Sequence, residues 1–288
     1  MDAFDIVWNL FRKVLSNSLY RKLKSGPLGR PGIYFSLPTF KAVFERYRSS
    51  GYDFTGKNVL EVGSGNQFYT ACFFLAAGAR SVTLADPVFS IEEDDATRQA
   101  HIRSFTDTVG SHHPPDTAAI NCSSSLEALR FRDTGCFDFI GSHFVLEHFA
   151  RLETYFEHIG ALLAPDGISL NYVDLSDHAY HVFDSRPLTR QLYRKRPLFH
   201  LRYSDIWYNT ITDPRIWVNR ALLPTYRELA HRYRFHIRKL NRTFCSPAEI
   251  HPDVIAKSRV IRVTDLYITH FSILLARSNG DPSPGKQG

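Results

Sequence analysis

Glu61, Gly63, Gly65 and Asp86 have the types and spacing of a ligand-binding turn. An apolar run, Asn58-Val59-Leu60-Glu61-Val62, leads into Gly63-Ser64-Gly65 and then into an apolar stretch from Ala71 to Ala77. A strand, a glycine turn and a helix in that order let a ligand approach the backbone, because glycine tolerates unusual dihedrals and has no side chain in the way. Glu61 sets the expected charge of the ligand: a carboxylate there repels a pyrophosphate and attracts a cation. The dinucleotide pattern also needs a third glycine at position 68, and that residue is Phe68. No Gly-x-x-x-x-Gly-Lys-Ser/Thr phosphate loop occurs. Asp86 ends the next apolar run, Ser81 to Ala85, and lies 21 residues past Gly65, close to the ~20 expected of an acid that holds ribose hydroxyls.

A second set of residues could move a proton. His143 and His148 follow the apolar run Phe137-Asp138-Phe139-Ile140, and Asp174, Asp177 and His178 follow a later one. Imidazole titrates near neutral pH, which suits a general base. His178 is the first choice for that role, with Asp177 or Asp174 to orient it. His148 is the second, although its place at a helix start also fits a capping role. Asp174, Asp177, His178 and His181 also have ligand types that a metal accepts, but the cluster is short and mixed, so no metal is expected. Trp207, Tyr208, Trp217, Asn219 and Arg220 fall in an aromatic, basic stretch suited to a substrate lid, with Asp177, Trp207, Asn219 and Arg220 as the substrate-side candidates.

Four motifs in order resemble the class I S-adenosylmethionine-dependent methyltransferases of the small-molecule type. They are Glu61-x-Gly-x-Gly65, Asp86, Ser142-His143-Phe144-Val145-Leu146-Glu147-His148, and Leu162-Leu163-Ala164-Pro165-Asp166-Gly167. The resemblance runs from about Asn58 to Gly167. It implies S-adenosylmethionine as cofactor, a donor whose sulfonium and ammonium groups suit an acidic turn. It implies that Glu61, Gly63, Ser64, Gly65, Asp86, Pro87, Cys122, Ser123 and His143 line the cofactor, with His143 at its methionine end. The ends of the fourth and fifth strands would then face the substrate. Two departures stand out. Gln67 replaces the usual third glycine, and Asn121-Cys122-Ser123-Ser124 replaces the acid often found near the adenine.

Positioning these residues requires alternating strands and helices. Strands are expected near 58–62, 81–85, 117–121, 137–141 and 167–173, with helices near 68–77, 92–108, 123–129 and 150–163. Such alternation predicts an α/β fold: a doubly wound, mostly parallel seven-stranded sheet, Rossmann-like, with an N-terminal helical cap and an insertion after the fifth strand. The expected divisions are 1–57 for the cap and linker and 58–174 for the cofactor-binding core. A substrate-side insertion or lid at 175–230, closing strands at 231–277 and a disordered tail at 278–288 follow. The cap includes an amphipathic helix over 3–20 and a second helix over 37–49; the closing strands are expected near 233–241 and 265–276.

At 288 residues and 43% apolar composition, the chain can bury a large core. It has no run of about 18 apolar residues, so no membrane span is expected. The acidic start Met1-Asp2-Ala3-Phe4-Asp5 is unlike a signal peptide, and four scattered cysteines suggest neither a zinc site nor a disulfide framework, so the expected location is cytoplasmic. The net charge of +6 leaves open an anionic small-molecule substrate and, through the first helix, a peripheral membrane contact. The expected activity is methyl transfer to a hydroxyl of a small metabolite, as in secondary metabolism, by in-line displacement with a histidine base. An N-methyltransferase of the same fold, a nucleic-acid methyltransferase and an inactive binding protein are the alternatives. Nucleic acid is disfavoured because the fourth strand ends in Ser-His-Phe-Val, not Asn/Asp-Pro-Pro-Tyr, and no Pro-Cys nucleophile occurs.

Overall fold

In the computed structural model the described residues are 36–65, 67–87, 94–109, 115–178, 197–212, 217–257 and 263–277. The expected helix over 3–20, the linker before residue 36, His181, much of the insertion and the tail lie outside them.

The first described element is helix α1 (Leu37–Arg48), with proline in its first turn, where the missing N–H costs nothing. Then come β1 (Asn58–Val62), α2 (Tyr69–Ala76), β2 (Ser81–Ala85), α3 (Asp94–Val109), β3 (Ile120–Ser123), α4 (Leu126–Arg132), β4 (Phe137–His143), α5 (Leu152–Leu162) and β5 (Leu163–Asp174). Helices α6 (Asp205–Ile211) and α7 (Leu223–Arg232) precede β6 (Phe235–Phe244), helix α8 (Pro252–Lys257) and β7 (Ile268–Arg277). The seven strands form one sheet in the order β3-β2-β1-β4-β5-β7-β6. Strands β1 to β5 pair in parallel, and β7 pairs antiparallel with both β5 and β6. The expected fold class is observed. The strand order reverses between β1 and β4, where an open α/β sheet leaves a crevice beyond its carboxyl ends.

Both faces of the sheet are covered, so the central strands are almost continuously apolar. On one face Val59, Val82 and Phe139 pack with α1, α2 and α3; on the other Leu60, Val62 and Ile140 pack with α5 and α7. Helix α2 is apolar all round because it lies between the sheet and α1, with Tyr69 to Phe74 all buried. An aromatic cluster of Phe44, Tyr47, Phe54, Phe74 and Phe139, with centroids 5.0–6.0 Å apart, clamps α1 to the core. The Tyr172 hydroxyl donates to the Arg46 carbonyl at 2.9 Å and fixes the end of α1 over β5.

Three elements differ from the expected positions for local reasons. Residues Thr117–Ala119 form a 3-10 turn, because the Asp116 carboxylate accepts from the Ala118 amide at 2.9 Å and holds it closed, so β3 starts later. β6 starts at Phe235 because Arg234 adopts a left-handed φ of 60° where α7 ends. The residues Val263–Tyr267, expected as strand from 265, form a 3-10 helix before β7. Among the described residues no helix is long and apolar enough to cross a membrane.

Candidate active site

A cleft of about 1230 Å³ opens at the carboxyl ends of β1, β2, β4 and β5, roofed by α1. The wall at the ends of β1 and β2 is mainly backbone. Gly63 and Gly65 take left-handed φ values of 78° and 63°. A Cβ at Gly63 would lie 2.2 Å from Val145 Cγ2, so only glycine lets the turn after β1 pack under the turn after β4. Among the described residues, a Cβ at Gly65 would meet nothing within 4 Å. Because Gly65 lines the cleft, that space is available to a ligand. Asp86 and Pro87 continue this wall from the end of β2. Asp86 Oδ2 accepts the Gly65 N–H at 2.8 Å, which ties the two acid-and-glycine motifs together. Ser64 lines the same wall.

Glu61 is corrected by the structure. It is 4% exposed, does not line the cleft, and accepts a hydrogen bond from the Thr70 hydroxyl of α2. Side chains alternate along a strand, so Glu61 points into the helix layer behind the turn. Burial pushes its carboxyl from 4.5 up to about 7, against the Thr70 hydrogen bond and with a small contribution from Asp86. Of the two acids of this motif, Asp86 is the one that lines the cleft. Gln67 is also buried outside the cleft, so its bulk in place of glycine does not fill the ligand space.

Beyond β3 the lining residues are Ser124, Ser125 and Glu127 rather than Cys122 and Ser123. Cys122 Sγ lies 3.9 Å from the Arg98 guanidinium, and the Ser123 hydroxyl donates to the Ser125 carbonyl at 2.9 Å. The later course of β3 moves the cleft edge along the chain.

His143 lines the cleft at the end of β4. Its Nε2 accepts from the Arg46 guanidinium, which can only donate. Burial, then the Arg46 charge, lowers the imidazole pKa to about 3, so the ring is neutral. Arg46 comes from α1 and escaped the sequence reading, since nothing local marks it. The next residue, Phe144, is a non-glycine at φ 58°, held by its amide donating to the Tyr172 carbonyl at 2.8 Å. This strained backbone turns the chain across the cleft mouth.

The proton-transfer candidates gather at the far wall. His148 and His178 both line the cleft, with ring centroids 4.8 Å apart. His178 Nε2 is 3.7 Å from Asp174 Oδ2 and 4.0 Å from Glu147 Oε1. Asp174, only 4% exposed, also lies 3.2 Å from His270 Nε2, so one carboxylate stands between two imidazoles. Of the two acids weighed as orienter, Asp174 is the one at His178. Asp177 is buried, and its amide donates to the Pro197 carbonyl at 2.6 Å. Glu147 is 1% exposed; burial first, then Asp174, raises its pKa well above the carboxylate range. Glu147 and His270 were missed because neither has a local signature: one sits in a 3-10 turn, the other near the start of the last strand.

The expected substrate residues of the insertion do not reach the cleft. Trp207 is 60% exposed on α6. The Asn219 amide donates to the carbonyls of Leu146 at 2.8 Å and Phe149 at 3.1 Å, pinning the turn that carries Glu147 and His148. Arg220 pairs with Asp205 at 2.6 Å and donates to the Tyr203 carbonyl at 2.6 Å. Asn219 thus braces the wall from behind, while Arg220 ties parts of the insertion to each other.

A family profile described as a methyltransferase domain matches residues 41–242, most of the chain. The chain belongs to this family. It is a class I S-adenosylmethionine-dependent methyltransferase, and S-adenosylmethionine is its cofactor. The cleft of the methyltransferase fits that group by its chemistry: Asp86 brings a carboxylate, which accepts from hydroxyls, and Gly65 brings no side chain. Similar solved structures include an S-adenosylmethionine-dependent methyltransferase from Mesorhizobium loti, at 14% identity and TM-score 0.45, covering 85% of this chain and 100% of that one. An arsenic(III) S-adenosylmethionine methyltransferase from Chlamydomonas reinhardtii matches at 16% identity and TM-score 0.46, over 80% and 67% of the two chains. A geranyl diphosphate methyltransferase bound to sinefungin matches at 11% identity and TM-score 0.48, over 83% and 77%. No curated protein matches this chain.

Proposed function

We propose that the methyltransferase methylates a hydroxyl of a small molecule seated against His148 and His178. The observation that carries this reading is the placement of His178 at the cleft wall, with Asp174 at 3.7 Å and buried Glu147 behind it at 4.0 Å. The cofactor, when bound, supplies a methyl group on sulfonium sulfur, and the C–S bonding pair stays with sulfur as the methyl leaves. Gly63 and Gly65 let the backbone approach the cofactor, and Asp86 accepts from its ribose hydroxyls. Arg46, its charge directed into the cleft beside neutral His143, meets the carboxylate of the methionine end. Ser124, Ser125 and Glu127 stand on the adenine side in place of the missing acid. Phe40, Val43, Phe144 and Val145 keep water from the transfer path.

His178 accepts the acceptor's hydroxyl proton, and Asp174 stabilises the imidazolium that results. His148 walls the acceptor on the other side. Alignment in such a pocket can supply about 7–11 kcal/mol of barrier reduction, and a positioned base about 10²–10⁴-fold in rate. The net charge of +6 is compatible with an anionic acceptor.

The test is to incubate the purified enzyme with S-adenosylmethionine and a panel of small hydroxyl and amine compounds, and read methylated products by mass spectrometry. His178→Ala is expected to lower turnover about 10²–10⁴-fold while S-adenosylhomocysteine binding, followed by calorimetry, stays unchanged. Unaltered turnover, or methylation of nitrogen alone, would remove the hydroxyl reading.

A further inference from the structure

Glu147 is an unusual residue to bury. Its side chain is 2% exposed, and among the described residues neither carboxylate oxygen makes a well-formed hydrogen bond. Leaving a buried polar group without partners carries a cost of about 1–3 kcal/mol, more for a charged one. Structures keep such groups where something else completes them. Glu147, His148 and His178 each bring one donor atom into a cluster within 4.8 Å of one another. Two imidazoles and one carboxylate, with an open side facing a substrate cleft, form the donor set of catalytic zinc and non-haem iron sites.

A second, independent observation concerns the tautomer of His148. Its Nδ1 lies 2.9 Å from the Trp217 carbonyl oxygen, which can only accept, so Nδ1 carries the proton and Nε2 keeps its lone pair. Metal-ligating histidines are commonly fixed in this way, by a second-layer carbonyl that orients the ring and raises its basicity. Asn219 adds to the support: it holds the carbonyls of Leu146 and Phe149 on either side of the Glu147-His148 pair.

We infer that Glu147, His148 and His178 bind a divalent transition-series cation at the acceptor end of the cleft, with its open position for the acceptor oxygen. Nitrogen donors favour zinc, cobalt or iron(II) over magnesium or calcium, which prefer all-oxygen shells. Tetrahedral bonds of about 2.1 Å put donor atoms about 3.4 Å apart, so side-chain adjustments on the order of 1 Å close the present spacing. The inference rests on the hydroxyl-acceptor reading and adds to it the way the hydroxyl is activated. A hydroxyl bound to a dication gives up its proton to solvent near neutral pH. The oxygen then attacks the methyl carbon, the C–O bond forms and the C–S pair leaves with sulfur. His178 in that state is a ligand, and its lone pair is committed to the cation.

The full chain, stripped with a chelator and dialysed, is titrated with ZnCl₂ by calorimetry and with CoCl₂ by its visible d–d absorption. One cation per chain is expected. Glu147→Gln, which keeps the side-chain shape, and His178→Ala should each weaken binding at least about tenfold, while S-adenosylhomocysteine binding reports an intact fold. His231→Ala, on the exposed side of α7, should leave cation binding unchanged. Absence of stoichiometric binding, or binding indifferent to Glu147→Gln, overturns the inference. If the stripped enzyme then still methylates hydroxyls and loses that activity with His178→Ala, the hydroxyl reading stands with imidazole as the base. A bound cation together with products methylated only on nitrogen leaves the cation site intact and removes the hydroxyl reading.

Discussion

At the ends of β1 and β2 the cleft wall is mostly main chain: Gly63, Gly65 and a single carboxylate, Asp86, bonded to the Gly65 amide at 2.8 Å. At the ends of β4 and β5 it is ionisable side chain: His148, His178, Asp174 and His270, with Glu147 behind. The first wall is shaped by where side chains are absent, and its polar groups are satisfied locally. The second concentrates charge in a dry place and, among the described residues, leaves Glu147 without a well-formed hydrogen bond. A binding surface for an invariant cofactor can be built into backbone geometry. A surface that must move a proton needs groups whose charge is held at a cost, and such costs are met by packing elsewhere in the fold.

The largest expected effect tests the backbone side. Gly63→Ala combines a left-handed φ with a Cβ 2.2 Å from Val145 Cγ2. It should lower stability by about 2–5 kcal/mol and impair cofactor binding, whereas Gly65→Ala, strained only by its φ, should cost about 1–2 kcal/mol. Equal losses in thermal or urea unfolding would break the distinction between a steric and a purely conformational glycine.

Next comes Glu61, which sits behind the cofactor wall without touching the cleft. Its folded pKa of about 7 lies above the ordinary 4.5. The folded state therefore binds the extra proton between those values. The associated stability is fully present below pH 4.5, declines as pH rises to about 7, and stays lost above it. Glu61→Gln should abolish that decline and make the variant more stable than the parent at pH 8, by on the order of 3 kcal/mol. Urea unfolding of both proteins at pH 5 and pH 8 measures it. If Glu61→Gln instead weakens S-adenosylhomocysteine binding with no change in the pH profile, the carboxylate faces the ligand after all.

A smaller effect sharpens the contrast within the cofactor wall. Asp86→Ala removes a charged hydrogen-bond acceptor, with a cost of about 1.5–3 kcal/mol. Cofactor affinity should fall about 10–100-fold in calorimetry, with little change in the rate at saturating cofactor.

The wall at the ends of β1 and β2 was legible in the sequence because it is local. Strand β1, Gly63, Gly65, strand β2 and Asp86 fall within one strand–turn–helix–strand unit, and the dihedral demands of the turn select glycine at fixed spacing. The order of strands and helices followed from apolar periodicity, and with it the sheet. Glu61 shows the limit: its type was plain, but which face of β1 it occupies depends on register against β2 and β4, and tertiary pairing turned it into the helix layer. Trp207, Asn219 and Arg220 likewise had suggestive types, yet none lines the cleft: Trp207 is exposed, Arg220 bonds within the insertion and Asn219 braces the wall.

What the sequence alone determined, then, is the α/β class, the glycine turn after the first strand and the histidines near the ends of the fourth and fifth strands. Only the tertiary structure brought His148 and His178 to a ring distance of 4.8 Å, set Asp174 between His178 and His270, and buried Glu147 behind them. The physical reason is separation along the chain. Those groups come from three strand ends that meet only when the sheet closes, and no spacing rule connects residues whose proximity is made by packing.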